Sequence, residues 1–245
     1  LYVQLGKYIA GIVQLDLGYS FRQSAPVIDL IAERLPATLL LTLTAFVISL
    51  TCGIALGVAA AARVGKVSDS LLTTLALLFY ATPLYWLALM AVLVFSVWLG
   101  WLPGFGYETV GSDFSGFARA IDILKHLILP ALTLGLFFMA VYMRMTRASM
   151  LEVSTADFVK TAKAKGLSGP VIRRRHILRN AILPVVTLAG LQAGQLVGGA
   201  VLTETVFAWP GIGRLMFESL AARDYNTILG VFLVSAAMVI LFNIV

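Results

Sequence analysis

Two groups of residues are the candidates for chemistry in this sequence: one acidic residue in an apolar stretch and a strongly basic stretch before it. Glu204 is the only charged residue between Asn180 and Trp209. An acid in such a setting is costly, so it either holds neighbouring structure together or lines a route for polar molecules. Residues 144–182 hold nine Lys and Arg residues against two acidic ones. A basic stretch of this kind serves membrane topology, contact with anionic lipid, or docking of a partner.

Residue patterns for catalysis or metal binding are missing from the sequence. His126 and His176 are the only histidines, too far apart for an H-E-x-x-H site, and no G-x-S-x-G occurs. Cys52 stands in an apolar stretch, where it is interpreted as a small core residue rather than a nucleophile. No G-x-x-x-x-G-K-[ST] phosphate-binding loop is present. We therefore expect no catalytic residue, no metal site and no cofactor bound by this chain.

The composition predicts a membrane protein. Hydrophobic residues make up 60% of the 245 residues and charged residues only 12%, with a mean hydropathy of +0.95. A soluble domain has about a quarter of its residues charged. The net charge of +6 indicates nucleic acid as a partner only if the basic residues lie on a soluble face. They lie between apolar segments instead, so no nucleic acid is expected.

Five apolar segments are long enough to cross a bilayer as helices, which takes about 20 residues. Backbone groups find no partners in lipid, so these segments must be helical or form a closed barrel, and none alternates as barrel strands do. The expected spans are 37–62, 71–99 (within the uncharged 70–107), 127–143, 180–203 and 227–245. Pro83 is expected to kink the second span.

The charges between the spans predict their orientation. Residues 63–69 and 144–182 carry an excess of Lys and Arg, which marks the cytoplasmic side. Residues 1–36, 100–126 and 209–226 carry no such excess and are expected outside. Alternating crossings require the same assignment, so two independent constraints agree.

The outer and terminal parts of the chain give a domain division. Residues 1–36 form an extracytoplasmic segment with amphipathic helices, since Tyr2, Leu5, Ile9 and Ile12 fall at helical spacing. Ser24 and Pro26 predict a helix start. Residues 37–245 form the transmembrane domain, with an inner loop at 148–183 and an outer re-entrant or turn segment at 204–226. Because the chain starts at Leu1 on the outside and ends in apolar residues, we expect one N-terminal span and a cytoplasmic tail to be missing.

The inner loop has the features of an organised docking element. Ser154 or Thr155 is predicted to cap a short helix with Asp157 in its first turn, Lys163 in its last and Gly166 as its stop. Phe158 offers an apolar anchor beside small residues. A second short helix should follow Ser168, and Pro184 should open the next span.

Ordered motifs cover nearly the whole chain. The inner loop carries D-F-V-K-T-A-K-A-K-G-L-S at 157–168 and R-H-I-L-R-N-A-I-L-P at 175–184. Further motifs are L-D-L-G-Y-S at 15–20, R-L-P-A-T at 34–38 and E-T-V-F-A-W-P-G-I-G-R at 204–214. Together they resemble one family, the permeases of ABC importers, and among them the dipeptide/oligopeptide/nickel branch; the inner loop resembles their coupling loop. Thr161-Ala162-Lys163 stands where the general importer motif has Glu-Ala-Ala, and the distance from Gly166 to Pro184 is longer than in maltose-type permeases. Both traits fit the peptide branch.

The resemblance implies a fold, partners and site residues. The fold would be all-α, a polytopic transmembrane bundle of the type I importer permease kind in a bacterial or archaeal cytoplasmic membrane. The partners would be a homologous second permease, two ABC ATPase subunits holding ATP and Mg²⁺, an extracytoplasmic substrate-binding protein and membrane lipid. The ATPase-coupling residues would be Thr155, Ala156, Asp157, Phe158, Lys160, Thr161, Ala162, Lys163, Ala164, Gly166 and Leu167.

A second set of residues is a candidate for the substrate pathway or an outer gate: Gln192, Gln195, Glu204, Phe207 and Trp209. For Glu204 two roles remain open, pairing with a helix N-terminus or Arg214, and lining the route. Gly190, Gly194, Gly198 and Gly199 follow a small-residue spacing that predicts close helix packing, with pathway lining as the alternative.

These features predict a non-enzymatic transport subunit driven by ATPase partners. The expected cargo is a di- or oligopeptide, with glutathione or a nickel chelate as alternatives within the same importer class. A secondary transporter is a further alternative, but that class usually shows several intramembrane ionisable groups around its site. A purely structural membrane protein would leave the organised basic loop unexplained.

Overall fold

The fold is a bundle of long apolar helices, and the all-α expectation is confirmed apart from one short hairpin. The computed structural model describes residues 10–12, 14 and 16–244, without the side chains of 195, 197–199 and 242–244. The hairpin pairs β1 (Tyr19–Ser20) with β2 (Ala25–Pro26). Of the predicted amphipathic positions, Tyr2, Leu5 and Ile9 lie outside the described residues, and Ile12 packs against an apolar cluster that includes Leu17, Val27 and Ile31.

Eight helices follow within the described part of the chain. They are α1 (Val27–Ala61), α2 (Val67–Ala81), α3 (Leu84–Ala91, continued by a π-helical stretch Val92–Trp98), α4 (Gly116–Ser154), α5 (Asp157–Ala164), α6 (Gly169–Val171, a π-helical stretch Ile172–Ile177 and Leu178–Val206), α7 (Ile212–Ala222) and α8 (Tyr225–Ile244).

The helix boundaries correct several predictions. Helix α1 begins at Val27, so the boundary drawn at 36/37 falls inside it and Pro36 is a helical residue. The helix start predicted from Ser24 and Pro26 is confirmed, because Pro26 directly precedes the first helical residue; Ser24 has φ +53°, and no side-chain hydrogen bond caps the helix. Helix α4, 39 residues long, spans about 58 Å and runs well past both ends of the predicted 127–143.

The second predicted span is not one kinked helix. Helices α2 and α3 meet at an angle of 102°, far more than a kink. The cause is local: Pro83 has no N–H to donate, and the residue before a proline avoids the helical region. Thr82 accordingly is extended, at φ −80° and ψ 131°. Three helices are long and apolar enough to cross a membrane, or four if this bent pair counts as one, among the described residues. The number of five spans stays a prediction.

Pro184 does not open a span. It lies inside α6, which begins at Gly169 and carries the basic residues of the inner loop into the apolar part without a break. The proline removes one backbone hydrogen bond there, and its ring crowds the carbonyl four residues back. The predicted second short helix does start after Ser168, as expected, but it is the first turn of α6.

Helix α4 is the centre of the bundle. In its most apolar window 72% of the residues are buried, against 28% for α1 and 33% for α6. Its longest contact is with α1, where two glycines allow the backbones to approach. A Cβ at Gly53 would lie 2.9 Å from the Met139 carbonyl oxygen, and one at Gly57 would lie 2.7 Å from that of Met143. This G-x-x-x-G pair was not singled out in the sequence.

Contacts at the two ends of the bundle agree with the predicted grouping of loops. At one end Arg147 of α4 forms a bidentate ion pair with Asp69 of α2, both N–O distances being 2.7 Å. At the other end Arg34 of α1 lies 3.2 Å from Glu218 of α7. Segments that were predicted to lie on the same side of the membrane are therefore in contact with each other. The orientation of these two ends across the membrane stays a prediction.

The glycines of α1 and α6 give a matched test of this packing. We expect Gly57→Ala to destabilise the chain by roughly 1–3 kcal/mol because the new methyl group meets backbone and Thr146. Gly190→Ala is the control, since nothing in the described chain lies within 4 Å of its Cβ position. The measurement is the thermal unfolding midpoint of both variants purified in detergent. Equal midpoints for the two variants would contradict the close crossing of α1 and α4.

Candidate functional site

The candidate coupling site is α5, a two-turn helix whose ends are defined by backbone geometry. Its N-terminal residue is preceded by Ala156 in an extended conformation, with no side-chain cap. The predicted caps are wrong: Ser154 donates its hydroxyl to the Leu151 carbonyl at 2.6 Å, and Thr155 donates to Glu152 at 2.8 Å. Both hydroxyls are satisfied within the last turn of α4, so neither is free to cap α5.

The C-terminal stop of α5 is confirmed. Gly166 has φ +79°, a conformation that side-chain-bearing residues rarely adopt. Its N–H donates to the Lys163 carbonyl at 2.9 Å, and the Leu167 N–H donates to Ala162 at 3.3 Å. This pair of bonds is a Schellman motif, which satisfies carbonyls that the helix end leaves open. The turn therefore ends α5 and directs the chain back toward α6.

One face of α5 is seated on the membrane bundle. Val159 is fully buried and Ala162 is 5% exposed. They pack in one apolar cluster with the inner ends of three long helices: Val58 and Ala61 of α1, Met150 and Val153 of α4, and Ile172, Ile177, Leu178 and Ala181 of α6. This face of α5 is thus in contact with the ends of three helices at once.

The opposite face of α5 is open. Phe158 is 44% exposed, so close to half of this large apolar side chain is left uncovered by the described chain. Lys160 forms an exposed ion pair with Asp157 at 2.8 Å, and Thr161 donates to the Asp157 carbonyl. The remaining exposed candidates on this face and its turn are Thr155, Lys163, Ala164 and Leu167, with Ala156 half-buried. Ala162 does not belong to this face, because it packs inward.

Glu204, near the C-terminal end of α6, joins three helices through its hydrogen bonds. Glu204 is fully buried. Its carboxylate accepts hydrogen bonds from the Thr38 hydroxyl at 2.6 Å and from the Arg214 backbone N–H at 3.0 Å. Thr38 in turn accepts from the Ile212 N–H at 2.9 Å. The acid therefore joins α1 and α6 to the N-terminus of α7, where a negative charge is stabilised.

The hydrogen bonds of Glu204 to Thr38 and to the N-terminus of α7, here called the outer clamp, require small or closely packed neighbours. A Cβ at Gly211 would overlap the Glu204 carboxyl group, and one at Gly213 would lie 2.7 Å from the Val201 Cα. Trp209 is fully buried and donates its indole N–H to the Ala37 carbonyl at 2.9 Å. Glycine at both positions therefore lets α7 approach α6 closely enough for backbone N–H groups to reach the acid.

The four pathway candidates whose side chains the structure describes present little surface in this chain. Gln192 is 9% exposed, Phe207 is 1% exposed, and Trp209 and Glu204 are fully buried. The side chain of Gln195 lies outside the described residues. The geometry of Glu204 matches the alternative in which the acid pairs with a helix N-terminus. Glu204 binds the backbone N–H of Arg214, whereas the Arg214 guanidinium binds Glu218 and the Ala208 carbonyl. A lining role for these residues stays a prediction.

Comparison with known proteins now assigns the chain to a family. A family model described as "Binding-protein-dependent transport system inner membrane component" matches residues 53–245, most of the chain. The chain belongs to this family. It is a permease component of the ABC importer kind, a multi-pass protein of the inner membrane.

Curated relatives match this permease over its whole length. The dipeptide transport system permease protein DppB of Alkalihalophilus pseudofirmus is 41% identical over 99% of this chain and 77% of its own. The oligopeptide transport system permease protein AppB of Bacillus subtilis is 40% identical over 100% of this chain and 76% of its own. DppB of Escherichia coli K12 is 39% identical, at 100% and 77%.

Two kinds of solved structure share the permease fold. A chain of the MetNI methionine ABC transporter in an inward-facing conformation has a TM-score of 0.68 and 18% identity, covering 88% of this chain and 92% of its own. A chain of an amino acid ABC transporter has a TM-score of 0.62 and 15% identity, at 87% and 89%. At these identities the likeness concerns the fold alone. The predicted importer permease fold is confirmed.

The clamp at Glu204 leads to a test that separates its structural role from a role in the pathway. We expect Glu204→Leu to destabilise the permease by roughly 3 kcal/mol or more, because Thr38 and the α7 N–H groups lose their acceptor in a buried place. Glu204→Gln keeps an acceptor oxygen and should cost less. The thermal unfolding midpoints of the purified proteins should therefore decrease in the order wild type, Glu204→Gln, Glu204→Leu.

The same two variants also address the pathway. Uptake by Glu204→Gln should fall only in proportion to the amount of folded permease, with an unchanged KM for the cargo. A raised KM in a fully folded Glu204→Gln permease would contradict the structural role and support lining of the route.

Proposed function

We propose that this chain is the transmembrane permease subunit of an ATP-driven ABC importer, which forms with a homologous second permease the pathway for di- and oligopeptides. Two ATPase subunits bind its cytoplasmic face and hold ATP and Mg²⁺, while an extracytoplasmic binding protein delivers the cargo. The chain itself contributes no catalytic residue. Its part is to convert a movement of the ATPases into a movement of helices.

The observation that carries the proposal is the two-sided nature of α5. The face that carries Val159 and Ala162 packs against the ends of α1, α4 and α6. The opposite face leaves Phe158 half-exposed among polar neighbours. A buried aromatic is the usual centre of a protein interface, so the exposed ring supports a missing partner on this face. A basic loop whose only role was to set the orientation of the spans would not need a helix that ends in a Schellman motif and packs against three other helices.

The peptide cargo rests on the relatives. Permeases named for dipeptide or oligopeptide transport match this chain at about 40% identity over nearly its full length. The departure from Glu-Ala-Ala at Thr161-Ala162-Lys163 supports the same branch. Glutathione and nickel chelates are the alternatives within it.

The energy source is tested in proteoliposomes that contain the purified importer, with ATP inside and peptide-loaded binding protein outside. We expect uptake of a labelled dipeptide only when ATP and binding protein are both present, because the permease has no nucleotide site of its own. A protonophore should leave this uptake unchanged. Uptake that runs without ATP and stops with the protonophore would contradict the proposal and support a secondary transporter. Uptake of labelled glutathione or of a nickel chelate under the same conditions, without uptake of labelled dipeptide, would overturn the peptide assignment.

The coupling role is tested at Phe158. We expect Phe158→Ala to weaken retention of the ATPase subunits and to lower ATP-driven uptake about tenfold or more, the usual effect of losing an aromatic interface centre. Folding should be unaffected, since the ring is 44% exposed. Phe114→Ala is the matched control, because Phe114 is 50% exposed in the predicted outer segment. Full ATPase retention and full uptake with Phe158→Ala would remove the coupling role from α5.

A further inference from the structure

The outer corner of the molecule presents exposed aromatic and basic side chains on a rigid hairpin. Phe21, at the tip between β1 and β2, is 83% exposed, and Tyr225 at the start of α8 is 68% exposed. Arg22 and Arg223 are exposed beside them. Phe21, Arg22, Arg223 and Tyr225, here called the outer corner, line an open cavity of about 420 Å³ with Ala222, Asp224 and Asn226.

The hairpin is held in place by a dense set of hydrogen bonds. Ser20 is fully buried and donates its hydroxyl to Asp224, while the Gln23 N–H donates to the Ser20 oxygen at 3.0 Å. Asn226 donates its amide to the Tyr19 carbonyl at 3.0 Å. These bonds tie the hairpin to the turn between α7 and α8. The exposed tip is therefore a fixed feature of the surface.

The backbone of this region adopts conformations that side-chain-bearing residues rarely adopt. Ser24 has φ +53° and Arg223 has φ +57°. Such residues cost about 1–3 kcal/mol each and persist where the surroundings hold them, commonly at functional sites. A rigid exposed aromatic loses little conformational entropy when it is buried by a partner. The outer corner thus has the preorganisation of a recognition surface.

Charge identifies the chemistry of the partner. No carboxylate lies within ion-pair distance of Arg22 or Arg223 in the described part of the chain. Burial raises the pKa of Asp224, but the hydrogen bonds from Ser20 and Thr227 outweigh burial, so its pKa lies below the ordinary value. That carboxylate is ionised and engaged by these donors. The two guanidinium groups are left for acidic groups of another molecule.

The height of the outer corner argues against lipid as that molecule. Arg34 is the charged residue of α1 nearest to the uncharged run 37–62. Val27, where the hairpin joins α1, lies seven residues before Arg34, about 10 Å further along the axis. The headgroup layer is about 5–8 Å thick on each side of the hydrocarbon. If Arg34 marks the edge of the hydrocarbon and α1 runs along the membrane normal, the hairpin stands beyond the headgroups, where Phe21 would have no lipid to contact.

We propose that the outer corner is a docking surface for the extracytoplasmic binding protein, which meets it with an apolar pocket for Phe21 flanked by carboxylates for Arg22 and Arg223. The proposal rests on the proposed function, and the family description names dependence on a binding protein. A second cavity of about 580 Å³, lined in part by Arg22, Phe217 and Glu218, continues the surface along α7. Because α7 is joined to Glu204 at its N-terminus, the docked protein contacts an element fixed to α1 and α6.

The test measures binding of the importer's own binding protein, purified and loaded with peptide, to the complete importer in lipid nanodiscs. We expect Phe21→Ala to raise the Kd about tenfold, and Arg22→Glu to raise it at least as much. The salt dependence of binding should also be weaker for Arg22→Glu. Phe117→Ala is the matched control, since Phe117 is 81% exposed at the start of α4, and its Kd should stay within twofold of the wild type.

The outcomes separate this proposal from the proposed function. Wild-type Kd values for both Phe21→Ala and Arg22→Glu would overturn the docking surface, whatever the transport result. Loss of the second permease from purified Phe21→Ala complexes would overturn it too, because the outer corner would then be a contact between permeases. A wild-type importer that binds the loaded protein normally, yet takes up no peptide with ATP inside, would contradict the proposed function and leave the docking surface intact.

Discussion

The close crossing of α1 and α4 is the contact on which the rest of the structure depends. In lipid the hydrophobic effect does not drive helices together, so packing of small residues has to do so. Gly53 and Gly57 supply it, since any Cβ there would collide with the backbone of α4. This crossing places Val58 and Ala61 beside Met150 and so builds the apolar seat of α5 from helices that are distant in sequence.

The two ends of the bundle use different interactions for a similar purpose. At the inner end, apolar packing holds α5 on three helices. At the outer end, where backbone N–H groups of α7 are left open, the buried Glu204 carboxylate accepts them. Helices α1 and α6 take part in both contacts. Continuous helices thus connect the seat of α5 to the Glu204 contacts, a physical link between the proposed ATPase face and the proposed binding-protein face.

The candidate coupling site was largely predictable because its determinants are local. Asp157 in the first turn, Lys163 in the last turn and the Gly166 stop follow from neighbouring residues and were correct in position. The assignment of Ser154 and Thr155 as caps was wrong, because both hydroxyls bond to α4 carbonyls one turn back. Which side of α5 faces the bundle was not predictable, so Ala162 was grouped with the exposed residues although it is buried.

The sequence by itself determined the membrane setting, the helical class and the short-range stops, since composition, charge bias and glycine or proline chemistry act within a few residues. Only the tertiary structure decided the pairing of Asp69 with Arg147 and the burial of Glu204 against Thr38. These features join residues as far as 166 positions apart. The partners of these residues depend on how the helices pack. The residue pattern along one helix shows which of its faces is apolar, but it does not show which other helix packs against that face.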